Sequence, residues 1–401
     1  MAKRKIQKPT RFERMYKVWD YLRKNTDRRH PTSIAKMRKD ENINAYIGDK
    51  ETINRLLKDM ANIMNLEDGG SDYKPEAEWR LYFDDFKKFY GDKERYERDD
   101  SDEDDSYIAN VMRIKNLYYN RTFSEKEVDS IIEGIMATRT LDSKSAQELV
   151  RKVEDNMTTA FYKRTPRHIC KVQEPELADR GLLKDNLAII QKAIDDNVRI
   201  QFRFNGYSYE KKLEPVREES DELSPYYIVV SGGKYYLLAA KEYEGYKPNM
   251  SIWRIDLMID IEIPGRNDRL HIKGIPRIPK KNVSNLPEKW SEDFQLKHLN
   301  MSFDKPVLVT LRIKSEKCED NPKKRVRPGY TFLHDWFGDS FTYIRTETKP
   351  PYDDIVRVEC SPYGMAHWAL QYSELVEVLE PESLREDIKS KIKALNEKYS
   401  L

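Results

Sequence analysis

Asp49-Lys50-Glu51-Thr52-Ile53-Asn54-Arg55-Leu56-Leu57-Lys58-Asp59-Met60-Ala61-Asn62-Ile63-Met64 is the stretch on which the reading of this chain turns. Ile53, Leu56, Leu57, Met60 and Met64 recur at the three- and four-residue intervals that gather apolar side chains on one face of an α-helix. Asp49 stands where an N-cap carboxylate would accept from the first backbone N–H groups. The other face carries Lys50, Thr52, Asn54, Arg55 and Lys58. A helix entering the major groove needs one face for its own core and one that presents donors. Here Arg55 can fork onto guanine, Asn54 can pair with adenine, and Lys50, Thr52 and Lys58 can hold phosphates. A solvated surface helix would carry the same residues, so the flanking sequence has to decide.

Upstream, Phe12, Met15, Tyr16, Trp19 and Leu22 predict an amphipathic helix over residues 11–24, and Pro31-Thr32-Ser33 opens a short helix through Met37. Downstream, Glu67-Asp68-Gly69-Gly70 reads as a turn and Glu78-Trp79-Arg80-Leu81-Tyr82-Phe83 as a strand, the order expected of a wing. Residues 1–64 hold 17 Lys and Arg against 8 Asp and Glu, 17 − 8 = +9, whereas residues 92–105 hold 3 against 9, 3 − 9 = −6. A basic first unit followed by an acidic tether suggests that the first unit meets a polyanion.

Residues 107–163 read as helical, with a capping signal in Thr122-Phe123-Ser124-Glu125-Lys126-Glu127, and another helix is expected over 182–196. The character then changes. Residues 199–204, 212–216, 226–230, 235–240 and 251–263 are short aromatic and β-branched runs, and Ser231-Gly232-Gly233 is a hairpin signal. Alternation over 251–263 predicts Ile255, Leu257, Ile259, Ile261 and Ile263 on a core face, with Arg254 and Asp256 opposite. Arg254 would then be open to an anion. Tyr207, Tyr209, Tyr235 and Tyr236 could stack on bases, with Lys212 and Lys234 beside them. Sheet packing of the tyrosines and an Arg254–Asp256 ion pair would account for the same residues. Residues 264–305 look like a connection with a helix near 291–299. Strands near 307–313, 340–345 and 355–360 and helices near 365–372 and 381–399 make the last unit mixed α and β.

At 401 residues the chain exceeds what one core supports, and 25 Tyr, 13 Phe and 6 Trp supply large side chains for several. No apolar run approaches the roughly 20 residues that cross a bilayer. Cys170, Cys318 and Cys360 lack CxxC spacing, and His30, His168, His271, His298, His334 and His367 stand singly, so neither disulfides nor a metal site is expected. No glycine-rich phosphate loop and no GxSxG elbow is present. The expectation is a cytoplasmic binding protein with no catalytic residues and no cofactor.

The order of these parts resembles bacterial WYL-domain regulators over nearly the whole chain. Tyr235-Tyr236-Leu237 is similar to the family's Trp-Tyr-Leu tripeptide, with tyrosine in place of tryptophan. Leu213-Glu214-Pro215-Val216 resembles an opening strand, and Trp253-Arg254-Ile255-Asp256 is similar to the Phe-Arg-Leu-Asp segment, with Leu257 where an arginine usually follows. His367-Trp368-Ala369-Leu370, Val376-Glu377-Val378-Leu379-Glu380-Pro381-Glu382 and Leu384-Arg385 resemble the C-terminal extension of these proteins, and residues 49–55 and 120–124 resemble their recognition-helix opening and connector.

The resemblance implies an α+β multidomain chain: a winged helix-turn-helix (1–90), an acidic linker (91–105), a helical connector (106–180), an Sm-like or SH3-like small β-barrel (181–265), a linker (266–305) and a ferredoxin-like C-terminal WCX domain (306–401). It implies a homodimer that binds operator duplex DNA and senses a single-stranded nucleic acid or nucleotide. An alternative within the resemblance is a single-stranded RNA-binding accessory protein of an RNA-targeting CRISPR system.

Overall fold

The computed structural model describes residues 8–67, 74–84, 114–138, 141–163, 180–315, 317–318, 321–325 and 329–399. The chain divides into two compact units, Met1–Glu174 and Pro175–Leu401.

In the first unit, α1 (Arg11–Asn25) begins with a capping box in which the Thr10 hydroxyl accepts from the Glu13 N–H and the Glu13 carboxylate accepts from the Thr10 N–H. Its buried line is Val18 and Leu22, with Met15 and Trp19 partly covered. Phe12 and Tyr16, expected on the core face, are 76% and 52% exposed. The pattern at 12, 15, 16, 19 and 22 holds two overlapping helical lines, and the core takes the one through 15, 18, 19 and 22. Helices α2 (Ile34–Lys39), α3 (Asn44–Ile47) and α4 (Lys50–Asn65) follow. The buried Asn65 side chain fastens the end of α4 to β1 (Leu81–Tyr82): its Oδ1 accepts from the Arg80 and Leu81 N–H groups at 2.9 and 3.1 Å, and its Nδ2 donates to the Leu81 carbonyl at 2.8 Å.

The partner of β1 lies far along the chain. It is β2 (Tyr118–Tyr119), antiparallel, with Leu81 opposite Tyr119 and Tyr82 opposite Tyr118. Thr32 bridges the adjoining Leu117 through two backbone hydrogen bonds. The Asp84 N–H donates to the Lys115 carbonyl, so the chain leaves this unit's sheet at 84 and is back at 114. The acidic stretch 92–105 therefore joins two paired strands of one unit instead of separating two domains. That stretch lies outside the described residues, as do residues 107–113 of the expected helical region and most of the expected 67–70 turn. Helices α5 (Glu125–Ala137) and α6 (Ser143–Met157) pack on each other, and α5 carries the expected cap: Ser124 and Glu127 form a reciprocal capping box.

The second unit opens with α7 (Arg180–Asp196), whose Ile190 and Ala193 are fully buried. It packs on a curled half-barrel in the order β4-β3-β5-β6-β7, with β8 pairing back onto β3. The strands are β3 (Ile200–Tyr207), β4 (Leu213–Pro215), β5 (Asp221–Ser231), β6 (Lys234–Tyr243), β7 (Tyr246–Arg254) and β8 (Met258–Glu262). Gly232 and Gly233, at φ 55° and 72°, make the two-residue turn between β5 and β6, where the positive φ at both positions favours glycine. Residues 251–263 are not one strand: a 3₁₀ turn at Ile255–Leu257 breaks them, and the buried Asn186 amide satisfies the carbonyls of Ile255 and Met258 at 3.1 and 2.7 Å. Asp256 consequently turns inward and is 1% exposed, against the expected outward face.

Residues 266–305 are a packed layer, not a free linker. Phe294 and Met301 bury against Leu238 and Met250 on the second face of the sheet, Tyr226 donates to the Ile278 carbonyl at 2.7 Å, and Tyr227 donates to the Glu288 carbonyl at 2.9 Å. Within this layer α8 (Phe294–Lys297) is shorter than the expected helix.

The chain ends in β9 (Val307–Ile313), a hairpin of β10 (Lys317–Cys318) and β11 (Asn321–Arg325), α9 (Thr331–Phe337), β12 (Thr342–Thr346), β13 (Asp354–Cys360), α10 (Pro362–Gln371), β14 (Val376–Glu380) and α11 (Glu382–Tyr399). The sheet order β12-β13-β9-β14 with antiparallel neighbours is a β-α-β-β-α-β arrangement interrupted by one hairpin. Trp368, Phe337 and Leu384 fill the space beneath its helices.

Candidate nucleic-acid interface

Helix α4 is positioned before it is decorated. The Asp49 carboxylate accepts from the Thr52 N–H at 2.7 Å, which holds its pKa below the usual carboxylate range, and Ile53, Leu57 and Met60 are fully buried. Rotating about 100° per residue, the helix then turns Lys50, Thr52 and Arg55 to solvent, with Lys58 half-buried at the margin. Asn54 is the exception: it is 0% exposed and lies on the core side, so it is no base reader. The apolar line at 53, 57 and 60 is wide enough to include position 54.

Acids on the same face temper the cations. Arg55 Nη2 lies 2.8 Å from Glu51 one turn earlier, both about half exposed, and Arg11 of α1 pairs with Asp59. Exposed pairs of this kind are worth about 0.3–0.5 kcal/mol, so a phosphate or base edge can displace the carboxylate from Arg55. A cleft of about 430 Å³ between α1 and α4 is lined by Arg11, Arg14, Thr52 and Arg55 among others. Arg14, which sequence reasoning missed, donates through Nε to the Pro9 carbonyl, and its buried Nη1 has no hydrogen-bond partner among the described residues. No sequence signal marked it; in the structure Gly48, at φ 65° before the cap, leaves room for it, because a Cβ there would lie 2.4 Å from Arg14 Nη1.

In the second unit, the residues expected around Arg254 are only partly brought together. Arg254 donates through Nε and Nη2 to the two oxygens of Asp256 at 3.1 and 2.6 Å. Burial lowers the guanidinium pKa, but this pairing outweighs it and keeps the group ionised. The Tyr207 and Tyr236 phenols are near enough to act electrostatically on Arg254, and burial pushes the Tyr236 phenol up. These three residues, with Asp256, are the assembled cluster. Tyr235 instead packs with Leu237 and Ala239 in the core against α7, as alternation along β6 requires. Tyr209, 94% exposed, and Lys212 both contact Glu210 in the turn between β3 and β4. Lys234 sits half-buried beside the Gly232-Gly233 turn. An anion at Arg254 must therefore compete with Asp256, while a stacking partner has Tyr207, 54% exposed, available.

Among the described residues no cluster of His, Cys, Asp or Glu is placed to hold a metal ion, and no helix is long and apolar enough to cross a membrane. No curated protein matches the chain. Two solved structures are similar at low level: proteasome accessory factor B/C (PafBC) of Arthrobacter aurescens, 18% identical with a TM-score of 0.22, covering 72% of this chain and 39% of that one, and a CRISPR Cas-related protein, 12% identical with a TM-score of 0.30, covering 74% and 77%. The chain thus spans well under half the length of the PafBC structure. Residues 305–395, which contain the β-α-β-β-α-β unit, match the WCX domain.

Proposed function

We propose that the chain is a DNA-binding transcriptional regulator, acting as a homodimer without catalysis, whose half-barrel takes a nucleic-acid or nucleotide-type ligand that alters operator affinity. One observation carries the reading. An N-capped helix of 16 residues is locked by its apolar face into a small helical body closed by a β-pair, and presents Lys50, Thr52 and Arg55 to solvent. The WCX match supports it, because the sequence resemblance to WYL-domain regulators includes that C-terminal part. By mechanism, a ligand bound at Tyr207, Tyr236 and Arg254 changes operator binding only by the difference between its affinities for the DNA-competent and incompetent states.

The test is fluorescence anisotropy against duplex DNA from the protein's own promoter, random duplex, single-stranded DNA and single-stranded RNA across a salt series. Lys50→Ala with Arg55→Ala should abolish selective duplex binding and, through the phosphate contact of Lys50, reduce the log–log salt slope by about 0.9. Equal duplex affinity of variant and wild type would refute the assignment of α4. Tight RNA binding with only unselective, salt-sensitive duplex binding would point instead to an RNA-binding accessory protein.

A further inference from the structure

On the second face of the half-barrel, four rings form a continuous chain of contacts. Tyr227 lies 5.8 Å from Trp290, Trp290 5.4 Å from Phe294, and Phe294 stacks on His298 at 4.1 Å. Phe294 and His298 are buried, at 6% and 5% exposure, whereas Trp290, between Tyr227 and Phe294, is 43% exposed. An indole in contact with two other rings, and still 43% exposed, has little rotamer freedom left to lose when something stacks on it. Lys280 Nζ sits 4.1 Å from the Tyr227 ring centre and donates to its hydroxyl at 2.7 Å, and Lys281 and Lys289 are exposed nearby in sequence. Against these three cations stand the exposed Glu288 and Glu292, while Asp293 is engaged by Lys297.

We propose that Trp290 is a stacking platform for an unpaired base of single-stranded nucleic acid, with Lys281 and Lys289 meeting the flanking phosphates. The chemistry selects this ligand over a protein partner. Glu288, Lys289, Ser291 and Glu292, which flank the indole in sequence, are all polar and exposed, a poor setting for the apolar anchor of a protein partner. A flat ring flanked by mobile cations suits a base with a phosphate on either side, and tolerates any base. The proposal shares with the functional reading only the premise that the protein handles nucleic acid; its residues lie outside both α4 and the Arg254 cluster.

The experiment measures anisotropy of labelled oligothymidylate, oligouridylate and duplex DNA with the full chain and with Trp290→Ala, Trp290→Phe and the pair Lys281→Ala/Lys289→Ala, each checked by thermal melting. Trp290→Ala should weaken single-strand binding about 5- to 100-fold, Trp290→Phe should keep most of it, and the lysine pair should flatten its salt dependence, all with duplex affinity unchanged. Single-strand affinity equal to wild type in Trp290→Ala and in the lysine pair would overturn the proposal, as would an equal loss for duplex. A wild-type chain that binds duplex selectively but no single strand would overturn it while leaving the assignment of α4 standing.

Discussion

Asn54 and Arg55 are adjacent, yet about 100° of helical rotation makes one a core residue at 0% exposure and leaves the other's side chain half open to solvent. The two therefore predict opposite phenotypes. Asn54→Ala should lower stability by about 1–3 kcal/mol, read in thermal melts, while the folded fraction binds duplex as tightly as wild type. A loss of affinity without a loss of stability would return Asn54 to the interface. Gly48 makes a second residue-scale argument. At φ 65° and ψ −158° it occupies backbone space nearly reserved for glycine, and an added Cβ would meet Arg14 Nη1 at 2.4 Å. Gly48→Ala should cost about 1–3 kcal/mol for the backbone conformation alone. Combining it with Arg14→Ala should recover only the steric part, so full recovery in melting temperature would show that the backbone was never strained.

At the scale of elements, the layer formed by residues 266–305 is the least expected part of the fold, and His298 gives it a pH dependence. Burial lowers the His298 pKa below its ordinary 6.5, and the hydrogen bond from Nδ1 to the Ser302 carbonyl only partly offsets this. Above pH 6.5 folded and unfolded chains both carry a neutral ring, so its contribution to stability is complete. Below that value the unfolded chain takes up a proton that the folded chain resists, and stability falls until the lowered folded pKa is passed. Melting of the second unit between pH 7.5 and 5 should shift downward in wild type and less in His298→Gln; parallel curves would remove His298 as the cause. The elements that were legible in sequence are those whose signal is local. Asp49 and Ser124 announced helix starts, the paired glycines 232 and 233 announced a hairpin, and β9 and β13 are β-branched runs. What was not legible depends on distant partners. The strand partner of Leu81–Tyr82 lies some 37 residues on, beyond an acidic segment that looks like a linker. The break at Ile255–Leu257 is stabilised by Asn186, 69 residues before Ile255. The candidate sites followed the same rule: Lys50, Thr52 and Arg55 could be read from one helix's periodicity, whereas Tyr235 falls on the face opposite Tyr236, the face that packs against α7, and Asp256 was misplaced because a 3₁₀ turn resets the alternation.

For the whole molecule, the decisive feature is where opposite charges are attached. The +9 segment 1–64 carries the candidate interface, and the −6 segment 92–105 is tethered between Asp84 and Ile114, at the ends of a strand pair joined to α4 through Asn65. Under the proposed function, a polyanionic segment joined to the same unit as α4 competes electrostatically with duplex DNA for that unit. Deleting residues 92–105 moves the net charge from +2 to +8, since 2 − (−6) = 8. The deletion variant should therefore bind random duplex more tightly than wild type at about 50 mM salt. The advantage should shrink as the screening length falls from about 10 Å at 0.1 M towards 3 Å at 1 M. It should also raise selective affinity less than unselective affinity, because base contacts add a term that the tether's charge does not touch. Anisotropy titrations of both proteins against random and promoter duplex over that salt range decide the matter. Coincident curves at every salt concentration would mean that the acidic segment does not compete, and that the charge separation along the chain serves solubility alone.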